Sequence, residues 1–239
     1  MAVTYRYMSS EEWGMRRIES QVRTERRPDP EGTLHHSAGN PMHSMDAVKA
    51  FQQMNEQAIA KGYWCIAYDV LVHEQILGNN DRIITIGEGR GPYMSGATKD
   101  RNEETEAICA LGYFHPGHSL SDRPSAYMVE GIALAFAWGI KNGWIAKEPY
   151  IYGHRDNPAH PNATSCPGDY LWSYLPSIRT RVIELTKEGT YMHGFIPRPT
   201  TVEPRIFDTR GPASHYDSYK IAAKRARTGQ HVQLTPSGA

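Results

Sequence analysis

Among the histidines and cysteines of this chain, the candidates for a zinc centre are His35, His154 and Cys166. A catalytic zinc takes three protein ligands and keeps a fourth position open, and imidazole nitrogen and thiolate sulfur are among its preferred donors. His35 and His36 are consecutive on a segment read as a strand, so their side chains point to opposite faces and only one of them joins a given site. His154 follows a short strand candidate, Tyr150–Tyr152. Cys166 opens a helix candidate across a loop holding Pro158, Pro161 and Pro167, a rigid way to keep two ligands near each other. The spacing therefore leaves one of the two adjacent histidines spare. With 11 histidines in 239 residues, accidental His/Cys clusters are easy to draw, and residue types alone leave two rivals. His160 is a competing ligand, and Cys166 could instead be a nucleophile with His35 or His154 as its base.

The elements that must position these residues can be read from periodicity. Val48, Phe51, Met54, Ala58 and Ile59 form a helical stripe between Asp46 and Lys61, with Ser44 as the expected cap and Gly62 as the stop. Ile66–Val72 and Ile83–Ile86 read as strands joined by the turn residues Gly78, Asn79, Asn80 and Asp81, a hairpin. Ala107–Leu111 is a further strand. A second helix starts near Pro124, carries Met128, Ile132, Ala135, Phe136 and Ile140 on one face, and ends at Asn142 and Gly143. A third helix is expected from about Gly168 to Lys187. Cys65 and Cys109 sit in apolar runs and read as inert core. His43, His73, His115, His118, His193 and His215 read as surface or loop residues.

Composition narrows the class. The formal net charge is zero, from 26 Lys and Arg against 26 Asp and Glu, so nothing in the overall balance calls for nucleic acid or an anionic membrane. No apolar run approaches the roughly 20 residues that a spanning helix needs. The 39% of hydrophobic residues, with 21 Gly and 16 Pro, suit a loop-rich mixed fold. Three cysteines are too few and too oddly numbered for a disulfide framework. The opening residues lack an apolar core and soon reach Glu11, Glu12, Arg16 and Arg17, so the expectation is synthesis in the cytoplasm without a secretion signal. The compact domain is expected to span residues 1–190. Residues 191–239 read as a linker, with Pro197, Pro199 and Pro204, followed by a basic tail with Lys220, Lys224, Arg225 and Arg227.

Several short motifs fall in a telling order: Trp13-Gly14, Leu34-His35-His36-Ser37-Ala38, Tyr68, Gly153-His154-Arg155-Asp156, and Thr164-Ser165-Cys166-Pro167-Gly168-Asp169. In this order and spacing the chain resembles the type 2 N-acetylmuramoyl-L-alanine amidases and peptidoglycan recognition proteins, over roughly residues 11–187. The resemblance implies an α/β fold with a central mixed sheet flanked by about three helices and a zinc groove on one face. It implies Zn2+ held by His35, His154 and Cys166, with Tyr68 as the catalytic tyrosine and Thr164 supporting the transition state. Without the family, Tyr68 reads as a packed aromatic and Thr164 as a helix-capping or turn hydroxyl.

The implied activity is hydrolysis of the amide between N-acetylmuramic acid and L-alanine in peptidoglycan, in the manner of a phage endolysin or virion-borne lysin acting on the wall as a monomer. Members of the family that only bind typically lack the cysteine, so the presence of Cys166 favours an enzyme. A non-catalytic muropeptide-binding module and a Cys-His peptidase are the competing classes. Two positions depart from the family pattern. Gly96-Ala97-Thr98 stands where members often carry a histidine facing substrate, and Cys109 stands where the recycling amidases carry a glutamate. The second departure predicts a mechanism built on Tyr68 without a dedicated glutamate base.

Overall fold

The computed structural model describes residues 2–23, 30–40 and 42–187. The expected linker and tail, 191–239, with His193 and His215, lie outside the described residues. Six strands form one sheet: β1 (Val3–Met8), β2 (Glu31–His36), β3 (Val70–Ile76), β4 (Arg82–Glu88), β5 (Thr105–Ala110) and β6 (Ile151–Gly153). Their order is β1-β4-β3-β5-β2-β6, and every pairing is parallel except the β3–β4 hairpin. Among the described residues four α-helices flank the sheet: α1 (Ala47–Ala60), α2 (Ala126–Lys141), the short α3 (Asp169–Trp172) and α4 (Leu175–Thr186). The expected mixed sheet flanked by helices is the fold observed. Among the described residues no helix is long and apolar enough to cross a membrane.

The period-2 alternation of the central strands divides the core in two. Leu34, Val70, Val72, Ile84, Ile86, Ile108 and Ala110 face α2 and α4. Leu71, Cys109 and Leu111 face the other way, toward α1 and Trp13. His35 lies between Leu34 and His36 on β2, and its register partner is Cys109, so it belongs to the α1 face while His36 turns toward Phe114. The two adjacent histidines are thus separated by the sheet itself.

Several details differ from the sequence reading, each for a local reason. Asp46, not Ser44, caps α1, its carboxylate accepting the Lys49 N–H at 3.1 Å. Ser125 caps α2 through its hydroxyl, so Pro124 precedes the helix instead of sitting in its first turn. The third helix is broken after Trp172, and α4 restarts with Pro176 in its first turn, where proline's missing donor costs nothing. His73 was expected at the surface; it is buried on β3, where its Nε2 meets the Met45 carbonyl at 2.8 Å and its ring stands edge-on to Phe51. β1 has no counterpart in the sequence reading.

Trp13 anchors the segment before β2. It is fully buried, donates its indole N–H to the Glu88 carbonyl at 2.7 Å and packs edge-on against Phe51 of α1. Gln52 of the same helix donates to the Trp13 carbonyl at 2.8 Å. Trp13→Ala removes this packing and leaves a cavity, and should cost about 3–5 kcal/mol of folding stability in a denaturant titration.

Candidate metal centre

His35, His154 and Cys166 come together. Their ligand atoms all lie within 4.8 Å of one another, and His35 Nδ1 is 3.7 Å from Cys166 Sγ. Bond lengths of about 2.0 Å to nitrogen and 2.3 Å to sulfur place two tetrahedral ligands about 3.5 Å apart, so the spacing fits a common zinc. The His35 and His154 rings are 4.5 Å apart between centroids. Two imidazoles and a thiol, with no carboxylate in the group, make a donor set suited to zinc and poor for calcium or magnesium. These residues could therefore hold the metal that the sequence reading assigned to them.

Local chemistry in the late loop brings the second and third ligands together. β6 delivers His154 beside His35 because Gly153 pairs with Leu34 of β2. Arg155 donates its backbone N–H to the Cys166 carbonyl at 2.8 Å, and its guanidinium bonds the Ser165 carbonyl and Asp169. Asp156 accepts from the Gly153 N–H at 3.2 Å and the Trp172 indole at 2.9 Å. In the Gly-His-Arg-Asp motif, then, the arginine and aspartate are the struts of the turn. Gly168 sits at φ 89°, and a β-carbon there would lie 2.2 Å from the Phe114 carbonyl oxygen, so only glycine allows the chain to leave Cys166 in this direction. His160, the rival ligand, instead meets the Asp100 carboxylate at 2.5 Å.

Burial sets the electrostatics. It drives the His35 imidazole well below its usual value, helped by neighbouring His154 and His36, and lowers His154 as well, so both rings are neutral donors. The Cys166 thiol, 8% exposed, is pushed up to about 12 by burial, against the opposing pull of the His36 N–H and Arg155. A nucleophilic cysteine requires the reverse shift. Without a cation the site is a neutral cluster, and a bound metal is what would hold the cysteine as thiolate.

Tyr68 borders the cluster, its ring centroid 5.5 Å from that of His35. It is not on a strand, as its sequence neighbours suggested, but in the bent segment that leads into β3, held from outside. Arg90 N–H bonds the Tyr68 carbonyl at 3.0 Å, and the Arg90 side chain, stacked over Trp64, bonds the Ile66 carbonyl at 2.7 Å. A β-carbon on Gly89 would lie 2.3 Å from the Tyr68 carbonyl oxygen. Asn55 of α1 accepts from the Ile66 N–H at 2.7 Å and donates to the Arg16 carbonyl at 2.9 Å, tying this approach to the Trp13 segment. Burial, followed by the nearby Cys109 and Cys166, raises the phenol well above its usual value, so it stays a proton donor. Cys65 and Cys109 are buried free thiols, as expected, and Cys109 is the first neighbour after burial in raising the Tyr68 phenol.

Thr164 accepts the Cys166 N–H at 3.1 Å, a turn contact, and also lines the cavity of about 280 Å³ shared by Tyr68, His35, His154 and Cys166. A hydroxyl that accepts one bond can still donate another. From His154 and Ala97 a larger groove of about 890 Å³ runs on past Trp64, Arg23, Arg90 and Lys99. Sequence reasoning missed Thr98, a buried residue whose Oγ1 lies 3.2 Å from His35 Nε2. The only sequence signal there was the family's missing histidine at this loop.

No protein-family model matches the chain, and no curated protein matches it in sequence. Solved structures do. Drosophila PGRP-LB superposes with a TM-score of 0.56 at 23% identity, over 80% of this chain and 98% of that one. Drosophila peptidoglycan recognition protein SD gives 0.56 at 18% identity, over 71% and 92%. Human PGRP-IβC, solved in complex with glycosamyl muramyl pentapeptide, gives 0.56 at 18% identity, over 72% and 94%. At these identities the shared property is architecture: the chain has the fold of the peptidoglycan recognition proteins.

Proposed function

We propose that this chain is a zinc-dependent amidase that cleaves peptidoglycan between the lactyl group of N-acetylmuramic acid and the L-alanine of the stem peptide. The observation that carries the reading is the convergence of His35, His154 and Cys166 beside Tyr68 and Thr164 at the end of a long groove. The substrate class is supported by neighbours of the same fold solved with peptidoglycan fragments, tracheal cytotoxin in PGRP-LB and a muramyl pentapeptide in PGRP-IβC. Wall lysis of the endolysin type, by a monomer, is the setting proposed for this activity.

His35, His154 and Cys166 would hold the metal. Zinc, when bound, brings water toward a neutral pKa and polarises an amide carbonyl. The chain's own residues supply the rest. Tyr68, kept protonated by burial, donates to the oxygen on which charge develops as the amide is attacked. Thr164, fixed by the Cys166 N–H, offers its hydroxyl proton to the same oxygen. The groove past Trp64 holds the peptide arm and keeps the scissile amide at the ligand cluster.

Chelation separates the competing classes. Removing metal should stop release of stem peptide and zinc should restore it; a Cys166 peptidase would continue through chelation, and a pure binder would release nothing under either condition. Every proposed site residue precedes residue 190, so a chain ending at Thr190 should hydrolyse soluble muropeptides as the full chain does. A folded truncate inactive on that small substrate would refute the assignment of residues 191–239 as an appendage.

A further inference from the structure

We infer that Thr98 is a positioning residue that fixes the His35 ring with Nδ1 toward the metal position, and that the stretch 98–100 locks the two ligand-bearing regions to each other. The inference rests on the zinc reading above. His35 is 1% exposed and Thr98 is fully buried, so water does not orient this imidazole. A neutral imidazole carries one proton and one lone pair. Nδ1 faces Cys166 Sγ at 3.7 Å, and Nε2 faces Thr98 Oγ1 at 3.2 Å. A metal on Nδ1 requires the proton on Nε2, and the Thr98 hydroxyl is the acceptor placed for it.

Thr98 is itself fixed. Its N–H donates to Asn102 Oδ1 at 2.9 Å. The next carbonyl, that of Lys99, accepts from Asn157 Nδ2 at 3.0 Å, and Asn157 is buried in the loop between His154 and Cys166. Asp100 meets His160 of the same loop at 2.5 Å. Three consecutive residues therefore touch the first ligand by a side chain and the loop of the other two by a carbonyl and a carboxylate. Threonine at 98 gives this chain a ligand-orienting contact at a loop where its sequence departs from the resembled family.

The test compares zinc affinity of the full chain, by competition with a chromophoric chelator, for wild type, Thr98→Val, Thr98→Ser and Cys166→Ser. Valine keeps the shape and removes the acceptor, and should weaken zinc binding about 10–100-fold, the usual cost of losing such a partner. Serine keeps the hydroxyl and should restore most of it. The ¹⁵N signals of the His35 ring in zinc-loaded wild type should show a proton on Nε2 and metal on Nδ1, a readout that packing alone does not set and that needs no variant to fold. Thr98→Val binding zinc like wild type while Cys166→Ser loses it would overturn the role of Thr98 and leave the zinc reading standing. Serine as weak as valine, or the opposite ring assignment, would also overturn it. Wild type that binds no zinc would remove both.

Discussion

Cys166→Ser should lose zinc and turnover together. The cysteine is one of three proposed ligands, and the other two, His35 and His154, are neutral rings from separate stretches of chain that would not hold a metal in fixed geometry alone. Serine keeps the size but offers a hydroxyl far less ready to ionise than the thiol. Zinc content should fall from one per chain to near none, and release of stem peptide from a muropeptide should fall below detection. His35→Ala and His154→Ala should behave alike. Cys65→Ala and His43→Ala should keep the metal, because Cys65 lies in the core beside α1 and His43 is engaged with Asp122 and the Glu74 carbonyl. Full activity in metal-free Cys166→Ser would leave only the fold standing.

Tyr68→Phe should keep zinc and fold while losing catalysis by about 10²–10³-fold, the size expected for one oxyanion donor removed from a preorganised site. The ring remains, so its packing near His35 and the backbone bonds that hold residue 68 are unchanged. The loss should appear in kcat more than in KM, since the hydroxyl is assigned to charge that develops only during the reaction. A rate close to wild type would reduce Tyr68 to packing.

The candidate cluster was legible because its chemistry is carried by residue types with few other uses at such spots: a cysteine among Pro, Gly and polar residues, and a histidine opening a Gly-His-Arg-Asp turn. Helix α2 and the β3–β4 hairpin were legible because apolar periodicity and the turn residues 78–81 agree locally. Edge strand β1 was not, because it pairs in parallel with β4, its Val3 in register with Arg82, and no turn links the two. The burial of His73 was hidden for a similar reason, since its acceptor is the Met45 carbonyl and nothing in its own strand announces that partner. Tyr68 lay in a run that reads as strand, but the contacts that hold it in a bent segment before β3 come from the Arg90 loop and Asn55, distant in sequence. Thr98 was invisible because a lone threonine has many uses, and its part depends on which nitrogen of His35 it faces. The clustered donors were readable from residue type, whereas the side chains packed around them were readable only from contact.

The bond broken is the most direct measure of the proposed activity. Zinc-loaded protein should be incubated with a purified muropeptide and the products weighed by mass spectrometry. The expected result is an intact lactyl sugar bearing a free carboxylate and a stem peptide with a new amino terminus on its first alanine, both disappearing on chelation. Cleavage inside the stem peptide, cleavage between sugars, or the same products from metal-stripped protein would contradict a zinc amidase.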